Sequence, residues 1–226
     1  MISALVKAFA QLPDPRLRRV LRLGILGALA AYLALVAAVA WVSTGTAVLS
    51  EAWADTTADI AGILASLVLP LLFFPALATT VMGPLLEKVA DAVEDRHYPH
   101  LNWPRPQKWA EVLATTLRFL AVTVVINLLA LPIYGVLLIT GFTVVLVYLV
   151  NGYLLGREYF EIVAFRRLDP KAARVMFRNR LGRLWLAGAV ITFLFSVPIL
   201  NLAAPVIATA FMTHLFQGLQ PAAPSV

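Results

Sequence analysis

Apolar residues gather into four long blocks along this chain, Val20–Val42, Ile60–Val81, Arg118–Leu155 and Leu184–Phe216, and most charged residues lie between them. A run of about 20 apolar residues crosses the hydrocarbon core of a bilayer as an α-helix. The first two blocks therefore predict two full transmembrane helices, at about 20–42 and 60–81. The third and fourth blocks hold 38 and 33 residues, short of the roughly 40 plus a turn that two crossings require. Helix breakers interrupt both: Pro132, Gly135 and Gly141 in one, Pro198 and Pro205 in the other. Proline removes a backbone donor and clashes with the preceding turn. The pattern predicts two helical hairpins, at about 118–155 and 184–216, that penetrate the bilayer only partway. Helix ends at membrane depth must be covered by protein, so these hairpins favour an oligomer or a tightly packed core.

The segments between the blocks are amphipathic or broken. In Pro84–Arg96, Leu85, Leu86, Val89 and Val93 recur at helical spacing on one face, with Glu87, Lys88, Asp91, Glu94 and Asp95 on the other. His97–Gln107 carries Pro99, Pro104 and Pro106 and reads as a loop; Arg157–Arg183 reads as a helical extension interrupted at Asp169-Pro170. The whole chain, 1–226, is expected to form a single membrane domain. Its amphipathic helical parts, at about 84–117 and 157–183, are expected to lie on the cytoplasmic side.

Composition confirms the solvent. Hydrophobic residues make up 61% of the chain, charged residues 13%, and the mean hydropathy is +0.86. A soluble domain averages about 25% charged, and a chain this short cannot bury such a surplus of apolar side chains in its own interior. The fold class is an all-α integral membrane protein.

Net charge is +6. In a soluble protein that would raise nucleic acid as a partner; here the accumulation of Lys and Arg in cytoplasmic loops explains it more simply, and no nucleic acid is expected. The eighteen basic residues fall in 1–22, 87–118 and 157–183, whereas 43–59 holds none and carries Glu51, Asp55 and Asp59. The charge pattern puts both termini, 83–117 and 157–183 inside, and 43–59 outside. Ala38-Val39-Ala40 has the form of a signal-peptide cleavage site, but the apolar run before it exceeds the usual 7–15 residues of a signal core. It reads as an uncleaved helix.

Candidate chemistry is sparse. The chain has no cysteine, which removes disulfides, thiolate catalysis and cysteine metal sites. No G-x-x-x-x-G-K-[ST], G-x-S-x-G, H-E-x-x-H or acidic metal loop occurs, so no enzyme and no cofactor is expected. His97 and His100 form an H-x-x-H, read as a solvated loop pair because no third ligand of zinc type stands nearby. Two charged clusters remain. Pro15-Arg16-Leu17-Arg18-Arg19 precedes the first membrane helix, where free N–H groups and a partial positive charge favour anions. Guanidinium forks there suit a tetrahedral oxyanion; from spacing alone, an anchor against anionic headgroups accounts better for the same residues. Gly156-Arg157-Glu158-Tyr159-Phe160-Glu161 places Arg157, Glu158 and Glu161 on one helical face, as a polar pathway or as a structural salt bridge. A faint echo links Asn127–Pro132 with Asn201–Pro205, and paired proline-interrupted segments point to a transport site.

These stretches carry a resemblance. Pro15-Arg16-Leu17-Arg18-Arg19, Met82-Gly83-Pro84-Leu85-Leu86, Gly156-Arg157-Glu158-Tyr159-Phe160-Glu161 and Pro198-Ile199-Leu200-Asn201-Leu202-Ala203-Ala204-Pro205 occur in the order found in the CysZ/EI24 family, whose bacterial members include sulfate permeases supplying cysteine synthesis. The resemblance implies a multi-pass protein of the bacterial inner membrane with two full transmembrane helices and partly penetrating hairpins, assembled as homo-oligomers. It implies sulfate or a related oxyanion as the transported partner, without nucleotide hydrolysis, and the EI24-type alternative is a non-transporting membrane interaction protein. The family's Gly-Leu/Ile-Arg anion motif falls on Arg16, Leu17 and Arg18, with Arg19 beside them; Arg16 stands where the family has glycine, whose bare backbone admits an anion closely. Arg157, Glu158, Glu161 and Asn201 are the candidates for shaping an inner pathway.

Overall fold

The computed structural model describes residues 1–44, 83, 85–140 and 142–220. Among these, all regular structure is helical: α1 (Ile2–Gln11), α2 (Pro15–Thr44), α3 (residues 85–97), α4 (Trp109–Thr140), α5 (Thr143–Ala164), α6 (Pro170–Asn179), α7 (Leu181–Ser196) and α8 (Pro198–Gln217). The expected second transmembrane helix at 60–81 lies outside the described residues, as does nearly all of the 43–59 loop. The chain forms two compact units, one from Met1–Arg18 and Leu86–Val226, the other from Arg19–Leu85.

Of the second unit, α2 from Arg19 onward is the main described part. The helix starts at Pro15, whose fixed φ suits the first helical position, and runs 30 residues, about 45 Å at 1.5 Å per residue. Leu26, Leu29 and Leu33 are exposed along it.

The first unit is built around α8. From Ala204 to Phe216 nearly every residue is buried, including Ile207, Phe211, Met212 and Phe216, and α1, α5 and α7 pack against it. The hydroxyls of Thr209 and Thr213 are buried with it, and donate to the Pro205 carbonyl at 2.9 Å and the Thr209 carbonyl at 2.8 Å. The most extensive pairing is between α5 and α7. Glycines set its distance: a Cβ on Gly188 would overlap the Gly152 carbonyl and the Gly156 backbone, and one on Gly156 would overlap the Leu184 carbonyl. Gly152 and Gly156 form the small-x-x-x-small spacing that lets apolar helices meet at backbone contact. The Trp185 indole N–H closes the same seam, donating to the Leu149 carbonyl at 3.1 Å.

Three stretches among the described residues are long and apolar enough to cross a membrane: Pro15–Ala38, Trp109–Tyr134 and Leu200–Gln217. No residue is buried in an 18-residue apolar stretch of Trp109–Tyr134, against 67% of Leu200–Gln217. Lipid must therefore solvate α4, whose Leu113, Leu117, Leu120, Leu128 and Leu129 stand exposed, while α8 is largely covered by its neighbours. The protein is an all-α integral membrane protein.

Three of the expected helix breakers, Pro132, Gly135 and Pro205, do not end a helix; Pro198 does mark a break, and Gly141 lies outside the described residues. Pro132 lies inside α4 and Pro205 inside α8, and Gly135 also continues α4. Each proline removes one backbone bond, but a full break in apolar surroundings would free several donors and acceptors at once. The actual turns lie between α4 and α5 after Thr140, and at Val197, whose extended backbone (φ −94°, ψ 116°) hands over to Pro198 at the start of α8. Asp169-Pro170 interrupts the extension as expected. The Asp169 carboxylate accepts the N–H groups of Lys171 (2.8 Å) and Ala172 (3.0 Å), capping α6 with proline in its first turn.

Amphipathic α3 buries Leu86, Val89 and Val93 as its spacing requires, but Glu94, expected on the polar face, is buried too. Arg166 donates to it at 2.8 Å and Arg167 pairs with it from the same loop. Arg166 also reaches Asp91, and its carbonyl accepts the Arg105 N–H at 2.8 Å. This network fastens α3 and the proline-rich loop to the end of α5.

Candidate functional site

At the start of α2, a carboxylate already occupies part of the helix N-terminus. Asp14 Oδ1 accepts the Arg16 N–H at 2.9 Å, and Oδ2 accepts from Arg96 at 3.1 Å. Burial raises the Asp14 pKa, but the Arg16 N–H bond and the Arg96 guanidinium outweigh it and hold the carboxyl below its ordinary value. The four residues of the expected anion segment then divide. Arg16 reaches Asp95, Nη1 to Oδ2 at 2.8 Å. Leu17 is buried, 1% exposed, as a core side chain. Arg18 and Arg19 are exposed on the first turns of α2, with no ion pair among the described residues.

The second cluster lies near the end of α5. Arg157 Nε donates to Glu161 Oε1 at 2.8 Å, one helical turn on, and both side chains are largely buried. The Arg157 guanidinium stands 5.8 Å from the Phe119 ring of α4, a cation–π contact that helps hold a desolvated charge. Glu158, partly buried, has its pKa pushed up to about 7, by burial first and then by the Glu161 charge. Asn201, the fourth expected pathway residue, is exposed in the first turn of α8. Among the described residues it shares no hydrogen bond with Arg157, Glu158 or Glu161.

Two adjoining pockets, of about 250 and 260 Å³, open where α4, α5 and α6 meet, and share Arg118, Arg157, Glu161 and Arg174 in their walls. Arg178 lines the second. Sequence reading missed Arg118, Arg174 and Arg178 as a group. Part of the signal was present, because Arg174 and Arg178 are four residues apart and so share a helix face. The convergence of α4 on that face comes only from tertiary packing. His97 is exposed, as expected, and its ring also meets the His214 ring at 4.8 Å, while the Tyr98 hydroxyl shares a hydrogen bond with His214 Nδ1 at 2.9 Å.

The family model described as sulfate transporter CysZ/etoposide-induced protein 2.4 matches residues 4–205. The chain belongs to this family. The match takes in the start of α2, the α5 charge cluster and the α7–α8 hairpin as far as Pro205, so both candidate clusters lie within the family's shared part. No curated protein matches the chain. Membership gives a membrane protein of a transporter-type family, either sulfate-transporter-like or EI24-type.

Proposed function

We propose that this protein is a permease for sulfate or a related oxyanion in the bacterial inner membrane, working without nucleotide hydrolysis and supplying sulfate for cysteine synthesis. The family match over residues 4–205 carries the reading. Exposed Arg18 and Arg19 at the amino end of an apolar helix support it, since two free guanidinium groups beside a helix N-terminus attract a tetrahedral dianion. In this reading Arg18 and Arg19 capture the anion, while Arg157, Glu158, Glu161 and Asn201 shape the inner path. The basic segments face the cytoplasm and 43–59 faces outward. The α7–α8 hairpin stops short of the far side: α7 has 16 residues, about 24 Å against about 30 Å of hydrocarbon. The α4 and α8 helices are each long enough to cross, so the length argument for partial penetration rests on α7 alone. Buried helix ends at that depth favour a homo-oligomer.

The competing reading is a non-transporting membrane interaction protein of the EI24 type. It is favoured by the engagement of Arg16 with Asp95 and the burial of Leu17, which give two of the four anion-segment residues structural roles. Sulfate uptake by purified protein reconstituted in liposomes separates the two. Uptake above protein-free vesicles, reduced in Arg18→Ala and Arg19→Ala, is expected of the permease; no uptake by correctly inserted protein rejects it.

A further inference from the structure

Three arginines on two different helices converge on the α4–α5–α6 cleft without carboxylate partners of their own. Glu161 is held by Arg157 and Glu111 by Arg105. Arg118, Arg174 and Arg178 form no ion pair among the described residues, and Arg174 spends only Nε, on the Pro170 carbonyl at 2.7 Å. The second pocket sets these cations over an apolar wall that includes Phe160, Phe177 and Leu181. A free inorganic anion gains nothing from such a wall; an amphiphile with a charged head does.

Position points the same way. Arg118 lies on the lipid-facing side of α4, among exposed Leu113, Leu117 and Leu120, with Trp109 exposed two and a half turns before it. Exposed tryptophan marks the headgroup level of a bilayer. A cleft with a basic rim and an apolar wall at that level, open beside a lipid-facing helix, has the chemistry that holds an anionic headgroup. We propose that the α4–α5–α6 cleft is a binding site for the phosphate of an anionic phospholipid, held by Arg118, Arg174 and Arg178. The site is separate from Arg18 and Arg19 and does not depend on the permease reading.

The test is native mass spectrometry of the full chain, purified in neutral detergent and titrated with phosphatidylglycerol, phosphatidylcholine of the same chains, or sodium sulfate. Phosphatidylglycerol is expected to be retained over phosphatidylcholine. Retention should fall about tenfold or more in Arg174→Ala/Arg178→Ala, as expected for losing charged hydrogen bonds, with partial recovery in Arg174→Lys/Arg178→Lys. Lys88→Ala, which removes an exposed cation lining neither pocket, should leave retention unchanged. Equal retention of the two lipids overturns the proposal, as does retention unaffected by the arginine variants. Sulfate adducts lost in those variants, with no phosphatidylglycerol retained, overturn the lipid assignment in favour of a free-oxyanion site. Unchanged melting of the variants guards against misfolding.

Discussion

Gly188 of α7 meets Gly156 of α5 at backbone contact, with no space for a Cβ on either. The contact joins the helix that carries Arg157 and Glu161 to the first arm of the second hairpin. Alanine normally stabilises a helix relative to glycine by about 1 kcal/mol, but here it must push two helices apart. Overpacking of this kind costs roughly 1–3 kcal/mol. Gly188→Ala and Gly156→Ala are expected to lower the melting temperature of the purified protein. Gly182→Ala, with nothing within 4 Å of the new methyl, is expected not to.

Glu94 provides the second prediction. It is 4% exposed and serves both Arg166 and Arg167. Removing one member of a buried pair leaves a charge without compensation, at a cost of roughly 3–5 kcal/mol. Glu94→Gln and Arg166→Met are each expected to destabilise strongly. The double variant is expected to be less destabilised than the sum of the two, because it leaves fewer orphaned charges. A double-mutant cycle on thermal or denaturant unfolding measures that coupling.

These two sites also mark what the sequence could and could not tell. Helical period alone placed Leu86, Val89 and Val93 on the buried face of α3, and Asp169-Pro170 marked the interruption of the extension after α5. The apolar blocks gave the membrane class directly. Glu94 was assigned to the polar face because periodicity sees one helix at a time, and its arginine partners are more than seventy residues away. The α5–α7 crossing was half legible: Gly152 and Gly156 form a known packing pattern, but Gly188 as its counterpart emerges only in three dimensions. Pro132 and Pro205 misled because proline's local cost was weighed without the larger cost of exposing helix ends to an apolar environment. At the candidate anion segment, type and spacing identified the arginines. They could not reveal that Asp95 engages Arg16.

Glu158 makes stability depend on pH. Burial, reinforced by the Glu161 charge, raises its pKa from an ordinary 4.5 to about 7 in the folded protein. Between those values the folded state holds the proton more tightly than the unfolded state. Its contribution to stability is therefore complete below about pH 4.5 and is lost as pH rises through about 7. Comparing wild type with Glu158→Gln isolates this group from the rest of the titration. The wild type is expected to lose more stability than the variant between pH 5 and 8, in melting curves recorded across that range.

The charge pattern yields a topology test that needs no background removal, because the native chain lacks cysteine. Single cysteines at positions 3, 102 and 170 are expected to label from one side of the membrane, and a cysteine at position 52 from the other. Labelling of positions 170 and 52 from the same side would reject the arrangement, and the placement of the basic cleft with it.

The start of α2 carries the prediction on which the transport reading turns. Arg16, Arg18 and Arg19 are neighbours in sequence but not equivalent in structure: Arg16 is engaged by Asp95, whereas Arg18 and Arg19 stand free of ion pairs among the described residues. Arg16 and Asp95 are both two-thirds exposed, and exposed pairs contribute little to stability. A charged hydrogen bond to a bound anion contributes about 1.5–3 kcal/mol, roughly ten- to hundredfold in affinity. Arg18→Ala and Arg19→Ala are therefore expected to weaken sulfate binding by that factor, and Arg16→Ala to weaken it much less, with folding verified by melting. An anchor that only fixes topology gives a different result. Once the protein is inserted and purified, removing any of the three leaves sulfate affinity unchanged. Calorimetric titration of sulfate into the four proteins distinguishes these outcomes. Equal affinities throughout would reject the site on α2, and would shift the search for an oxyanion path to the arginines around Glu161.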